Sequence, residues 1–280
     1  MNTKSIDPDV LADYNAGIER NRLRKDLGLI EFARTCELLG EYLPPAPAVV
    51  YDIGGGYGEY TWFLDSQGYE AHLFDLSETN IRMSAELRTE YPDCHLAAAE
   101  ICDARSVPRP DQSADAVLLM GPLYHIIGKD ERLAALAECR RLLKPGGVLL
   151  TAAITPYAPL LWATTVFGAK NRLLEEAAFM KTVERELTDG EHIRSPESVH
   201  RGLGRAHFHR PKELMEEMAL GGFSDVSVHA AVGAAWLAPD LDNLWQDKSA
   251  REALLSTVRL MDGHDEIMAL STHIVGAGRK

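Results

Sequence analysis

The sequence predicts an α/β protein, with a parallel sheet covered by helices on both faces. Three observations carry that expectation. Short apolar runs alternate with helical segments over residues 48–155, one of them (ADAVLLM, 114–120) is continuously apolar, as the centre of a parallel sheet requires, and glycine-rich turns punctuate the alternation.

Taken in order, residues 9–42 predict two helices, the second with Leu27, Ile30, Phe32, Leu38 and Leu39 at mostly helical spacings. LPPAPA (43–48) ends it, because proline removes a backbone donor and restricts its predecessor. AVVYDI is the first strand and EAHLFDL (70–76) the second. A helix follows with Ser77 as its cap, and CHLAAAE supplies a short third strand. After ADAVLLM comes an amphipathic helix, KDERLAALAECRRLL, closed by the KPGG turn at 144–147, and then a fifth strand, VLLTAAI.

From about 156 to 210 the strand signal lapses, and a helical region appears with Trp162, Phe167 and Phe179 among its aromatic residues. PKELMEEMALGGF resumes a helix with Pro211 in its first turn and Gly221-Gly222 at its end. DVSVHAAV and STHIVGAG are the last strands, separated by a helix around 248–262. The expected organisation is an N-terminal helical cap (1–47), a cofactor-binding core (48–155), a helical lid or substrate insertion (156–210) and a C-terminal part of the core sheet (211–280).

A chain of 280 residues, 46% hydrophobic, fits one large domain with an insertion. Its formal charge of −13 argues against a broad phosphate-tracking surface, so no nucleic-acid partner is expected. Cys36, Cys94, Cys102 and Cys139 are scattered without a CxxC pair, and the polar N-terminus has no apolar centre; both fit a reduced, cytoplasmic protein. Residues 148–169 are long enough to cross a bilayer, but Pro156 and Pro159 interrupt them, so strand plus apolar helix is expected and no membrane association. The oligomeric state is not legible, and a homodimer stays open.

VYDIGGGYGEY (50–60) is the most informative stretch. Glycines between strand and helix let the backbone turn sharply, admit a ligand and present amides at a helix N-terminus. The spacing is Gly54-x-Gly56-x-Gly58, and Glu59 stands where a dinucleotide fingerprint needs glycine, which counts against NAD and FAD. Asp75 ends the second strand, 19 residues beyond Gly56, where a carboxylate can accept from both ribose hydroxyls.

VYDIGGGYG, FDLS, the CDA at 102–104, ADAVLLMGPLYH and LLKPGG follow one another in the order and approximate spacing of class I S-adenosylmethionine-dependent methyltransferases, which residues 48–155 resemble strongly. IERNRL, FARTCELL, MGPLYHI and FHRPKEL resemble a bacterial small-molecule subgroup. The resemblance implies a Rossmann-like class I methyltransferase fold with a seven-stranded, mostly parallel sheet, N-terminal helices and a helical lid, and S-adenosyl-L-methionine as cofactor. It also implies that Asp52, Gly54, Gly56 and Gly58 accommodate the cofactor's amino-acid portion. Asp75 then binds ribose with Leu76 beside the adenine, Asp103 and Ala104 contact the adenine edge, and Met120 and Gly121 flank the cofactor. Tyr14 and Arg22 resemble residues that fold over it. One departure is Cys102, where the subgroup often has glycine.

Methyl transfer from a sulfonium is an in-line displacement in which the protein mainly aligns acceptor, methyl carbon and sulfur. A hydroxyl or acidic C–H acceptor would use a base, and Tyr124 and His125, directly after the fourth strand, are the catalytic candidates. Trp162, His207, His209 and Trp236 are the candidates for the substrate wall. RAHFHRP puts His207 and His209 on one face of an extended segment, but no third ligand of clear identity stands near, so no metal is expected. The acceptor is expected to be a small organic molecule, an aromatic or heterocyclic natural product, with oxygen, nitrogen and carbon all open as the acceptor atom. Alternatives are a nicotinamide-dependent oxidoreductase, an RNA or protein methyltransferase, and a non-catalytic cofactor-binding protein.

Overall fold

The computed structural model describes residues 8–15, 17, 20–197 and 203–280. His200, one of the insertion's histidines, and Ile18 and Glu19 of IERNRL lie outside the described residues. At the N-terminus, α1 (Pro8–Asn15) and α2 (Leu27–Tyr42) flank a 3-10 turn at Arg22–Arg24. Then follow β1 (Val49–Ile53), α3 (Glu59–Ser66), β2 (Glu70–Asp75), α4 (Glu78–Leu87), β3 (Ala98–Ile101) and β4 (Ala114–Leu119). The single turn α5 (Pro122–His125), α6 (Lys129–Leu142) and β5 (Leu143–Ile154) complete this half.

The 156–210 segment holds α7 (Ala158–Thr164), α8 (Val166–Lys170) and α9 (Ala177–Asp189), as expected. It also holds an antiparallel ribbon that the sequence reading missed, β6 (Glu191–Ile193) paired with β7 (Arg205–His207). Strands of three residues are too short to show a period. The chain ends with α10 (Pro211–Leu220), β8 (Ser224–Ala230), α11 (Leu241–Gln246), α12 (Lys248–Arg259), α13 (Asp265–Met268) and β9 (His273–Arg279).

One seven-stranded sheet runs β3-β2-β1-β4-β5-β9-β8, parallel except for β9, which is antiparallel to both of its neighbours. This is the Rossmann-like class I methyltransferase fold. Alternate residues sort onto its two faces because successive strand side chains point oppositely. Tyr51, Val117 and Leu149 pack with Leu136 of α6 and Met218 of α10, whereas Val50, Leu118 and Leu150 pack with Leu38 of α2 and Leu64 of α3. Each fully buried side chain of this size contributes roughly 1.5–3 kcal/mol. The KPGG segment was expected as a turn between α6 and β5; it forms the irregular start of β5, where the register against β4 shifts between Ala114 and Ala116.

The connection from β1 runs outward to β2 and β3, and β4 then returns to β1's other edge, so strand order reverses between β1 and β4. A crevice opens at the carboxyl ends of strands at such a reversal.

Candidate active site

The loop after β1 and the turn after β4 meet at that crevice. Gly54 (φ 70°) lies so close to Pro122 that a Cβ would stand 2.1 Å from its ring. Gly58 (φ 92°) begins α3 against Leu73 and Ser84, in a backbone region that other residues adopt only with strain. Above the loop is a cavity of about 600 Å3, within the range of small-molecule sites. Tyr14, Arg22, Gly54, Gly56, Asp75, Leu76, Asp103, Ala104, Met120, Gly121, Tyr124 and His125 all line it.

Asp75, at the carboxyl end of β2, is oriented by three donors. Its Oδ2 accepts from the Gly56 amide at 2.9 Å, and its Oδ1 accepts from the Ser77 amide at 2.8 Å and Asn80 Nδ2 at 3.0 Å. The glycine loop and this carboxylate are therefore one preorganised unit. Asp103 follows β3. Burial pushes its carboxyl up, but Arg105 more than offsets this with Nε at 3.0 Å and Nη2 at 2.7 Å, holding it below the usual range. Cys102 turns its buried thiol toward the Asp103 and Ser106 carbonyls, and its amide donates to the Asp75 carbonyl at 2.9 Å. The extended path from β3 is thus kept with a side chain present.

On the opposite wall stands the α5 turn. His125 Nε2 and Tyr14 Oη of α1 lie 2.5 Å apart, with the rings edge to face. Nδ1 is buried without a well-formed hydrogen bond, and burial pushes the imidazole down to about 4, against an opposing contact from the Arg205 backbone. The ring is therefore neutral at neutral pH. Tyr124 packs at 4.6 Å from His125 and is buried against Ile154, Ala206 and Phe208, so it braces the ring from the side of β7. Arg22 donates to the buried Glu31 carboxylate at 2.8 Å, which fixes the turn between α1 and α2 at the rim.

The remaining sequence candidates lie off the cavity lining. Asp52 is fully buried beneath the loop, where Thr61 Oγ1 donates to its Oδ2 at 2.6 Å; burial pushes its carboxyl up to about 7, with the Asp75 charge adding and the Thr61 bond opposing. It supports the loop from below, and Gly58 likewise belongs to the start of α3 and not to the lining. Trp236 is a core residue whose indole donates to the Leu270 carbonyl at 3.0 Å. Trp162 packs between the main core and the α9 cluster. His207 and His209 face α10, against Glu213 at 2.8 Å and Glu217 at 3.3 Å. None of these four residues lines the cavity; each has packing or polar contacts elsewhere.

Residues missed from the sequence do line the cavity: Tyr60, Arg105, Ile126, Glu131 and Arg205. Arg105 could have been found from its place two residues after Asp103. Arg205 could not, because the β6-β7 ribbon that carries it to the cavity had no detectable pattern.

Residues 51–151 match the family described as a methyltransferase domain. The ubiquinone/menaquinone biosynthesis C-methyltransferase UbiE of Bordetella avium is 36% identical over 104 residues, covering 36% of this chain and 39% of that protein. A tRNA (carboxymethyluridine(34)-5-O)-methyltransferase of Macaca fascicularis is 32% identical over 110 residues, covering 38% of this chain and 14% of that protein. The chain thus spans well under half the length of either curated relative. The crystal structure of a SAM-dependent methyltransferase from Methanosarcina mazei superposes with a TM-score of 0.56 at 19% identity, covering 87% of this chain and 96% of that one. The matched domain and the shared fold support a SAM-dependent methyltransferase and imply S-adenosylmethionine as its cofactor.

Proposed function

We propose that the chain transfers the methyl group of S-adenosylmethionine to a small organic acceptor, an aromatic or heterocyclic natural product. The observation that carries this reading is the joining of the glycine loop to Asp75 through the Gly56 amide, in one cavity with Asp103 at the β1/β4 reversal. In the proposed pose, Asp75 accepts from the ribose hydroxyls, Leu76 and Ala104 border the adenine with Asp103 at its edge, and the amino-acid portion lies over Gly54 and Gly56. Bound there, the cofactor supplies the electrophilic methyl group.

The acceptor then occupies the space toward His125, Tyr14 and Arg205. A neutral imidazole hydrogen-bonded to a phenol can take a proton from an acceptor hydroxyl or acidic C–H, or hold the acceptor in line. Small acceptors are supported by the cavity volume of about 600 Å3 and the charge of −13. Incubation with methyl-labelled S-adenosylmethionine and a panel of phenolic, indolic and quinone-like acceptors tests the reading. Labelled product and S-adenosylhomocysteine in equal amounts are expected, and cofactor binding without turnover on any acceptor would leave a non-catalytic binding protein.

A further inference from the structure

Where the lid ribbon rejoins the core, the chain gathers four metal-ligating side chains outside the cavity. His207 ends β7, His209 lies two residues on, and Glu213 and Glu217 project from α10. One donor atom from each lies within 4.8 Å of all the others. The two glutamates are four residues apart, hence on one helix face, and the two histidines are two apart on an extended segment, hence on one side of it. His209 and Glu217 are fully buried and His207 nearly so.

From this geometry we propose a binding site for a divalent transition-metal ion of the zinc class, with His207, His209, Glu213 and Glu217 as ligands. Two imidazoles and two carboxylates match the nitrogen and oxygen donors such ions take. At bond lengths of about 2.0–2.2 Å, tetrahedral donors stand about 3.4 Å apart, so the set needs a modest contraction. Glu213, the most exposed of the four, can supply it by a rotamer change.

One further observation favours a cation here. Glu217 is bound by Arg132 through both oxygens, at 2.9 and 2.6 Å, so one guanidinium stands against two carboxylates, Glu217 fully buried and Glu213 part-exposed, and a metal ion would balance the second. Arg132 then acts behind the metal by fixing the Glu217 ligand, as outer partners of metal ligands commonly do. The site staples the ribbon to α10. It thereby fixes the position of Arg205, two residues before His207, on the cavity wall.

The test uses the full chain stripped with chelator, titrated with Zn2+ alone by calorimetry and with Co2+ alone by visible absorption, and needs no cofactor or acceptor. Saturation at one equivalent is expected, with a Co2+ d–d band. Glu213→Gln and His207→Ala should each weaken Zn2+ affinity at least about tenfold and remove the band. The wild-type melting temperature should rise with Zn2+ concentration, because an ion that binds only the folded chain stabilises it. Uptake unchanged in both variants, which would mark adventitious binding at other histidines, overturns the site. So does a wild-type melting temperature indifferent to Zn2+, whether or not the variants fold.

Discussion

At Asp75, three donors hold the carboxylate in place before any ligand arrives, so binding does not have to order it. Asp75→Ala should weaken S-adenosylhomocysteine binding by about 1–3 kcal/mol, as for buried hydroxyls losing their partner, and calorimetry reads this directly. His125→Ala should lower turnover and spare cofactor affinity; full activity in that variant would remove His125 from the chemistry. Because burial holds the His125 imidazole at about 4, below its ordinary 6.5, its ring should keep neutral NMR shifts from pH 8 down to about 5. Asp52 works in the opposite sense. Its folded value of about 7 lies above the ordinary 3.8, so its contribution to stability is complete below about pH 4 and is lost as pH rises through 7. Melting curves from pH 5 to 8 should therefore show a steeper loss for the wild type than for Asp52→Asn, by about 2–3 kcal/mol. Parallel curves would show that Asp52 does not titrate in this range.

Among the elements, the contact between the glycine loop and α5 is the tightest constraint on the site. Gly54→Ala should destabilise the fold by about 1–3 kcal/mol and weaken cofactor binding, because its Cβ collides with Pro122 while its φ is positive. Denaturant midpoints and a ligand titration separate the two effects. The α6–α10 contact includes the buried Arg132–Glu217 pair, and Arg132→Met should cost about 3–5 kcal/mol in urea unfolding, since it strands a buried carboxylate. The strands and helices of residues 48–155 were legible because their apolar runs, caps and glycines agree with one another at each level. Ser77 does cap α4, accepting from the Asn80 amide at 3.2 Å. The 156–210 segment was legible only as helices. A ribbon of two three-residue strands leaves no periodic trace, so Arg205 and the approach of His207 and His209 to α10 had to come from the structure. That Glu213 and Glu217 share a helix face was readable from their spacing. That this face meets the histidines was not, since sequence pattern does not state which helix a ribbon docks on.

Across the whole molecule, the cavity draws on parts of the chain that lie far apart in sequence. The core sheet supplies the glycine loop, Asp75 and Asp103, α1 supplies Tyr14, and the β6-β7 ribbon supplies Arg205. Among the described residues no helix is long and apolar enough to cross a membrane. The most direct test of the central claim is a calorimetric titration of the chain with S-adenosylhomocysteine and, separately, with NADH. Saturable 1:1 binding of S-adenosylhomocysteine, weakened in Asp75→Ala, with no heat from NADH, is the predicted result. Binding of NADH with none of S-adenosylhomocysteine would contradict it.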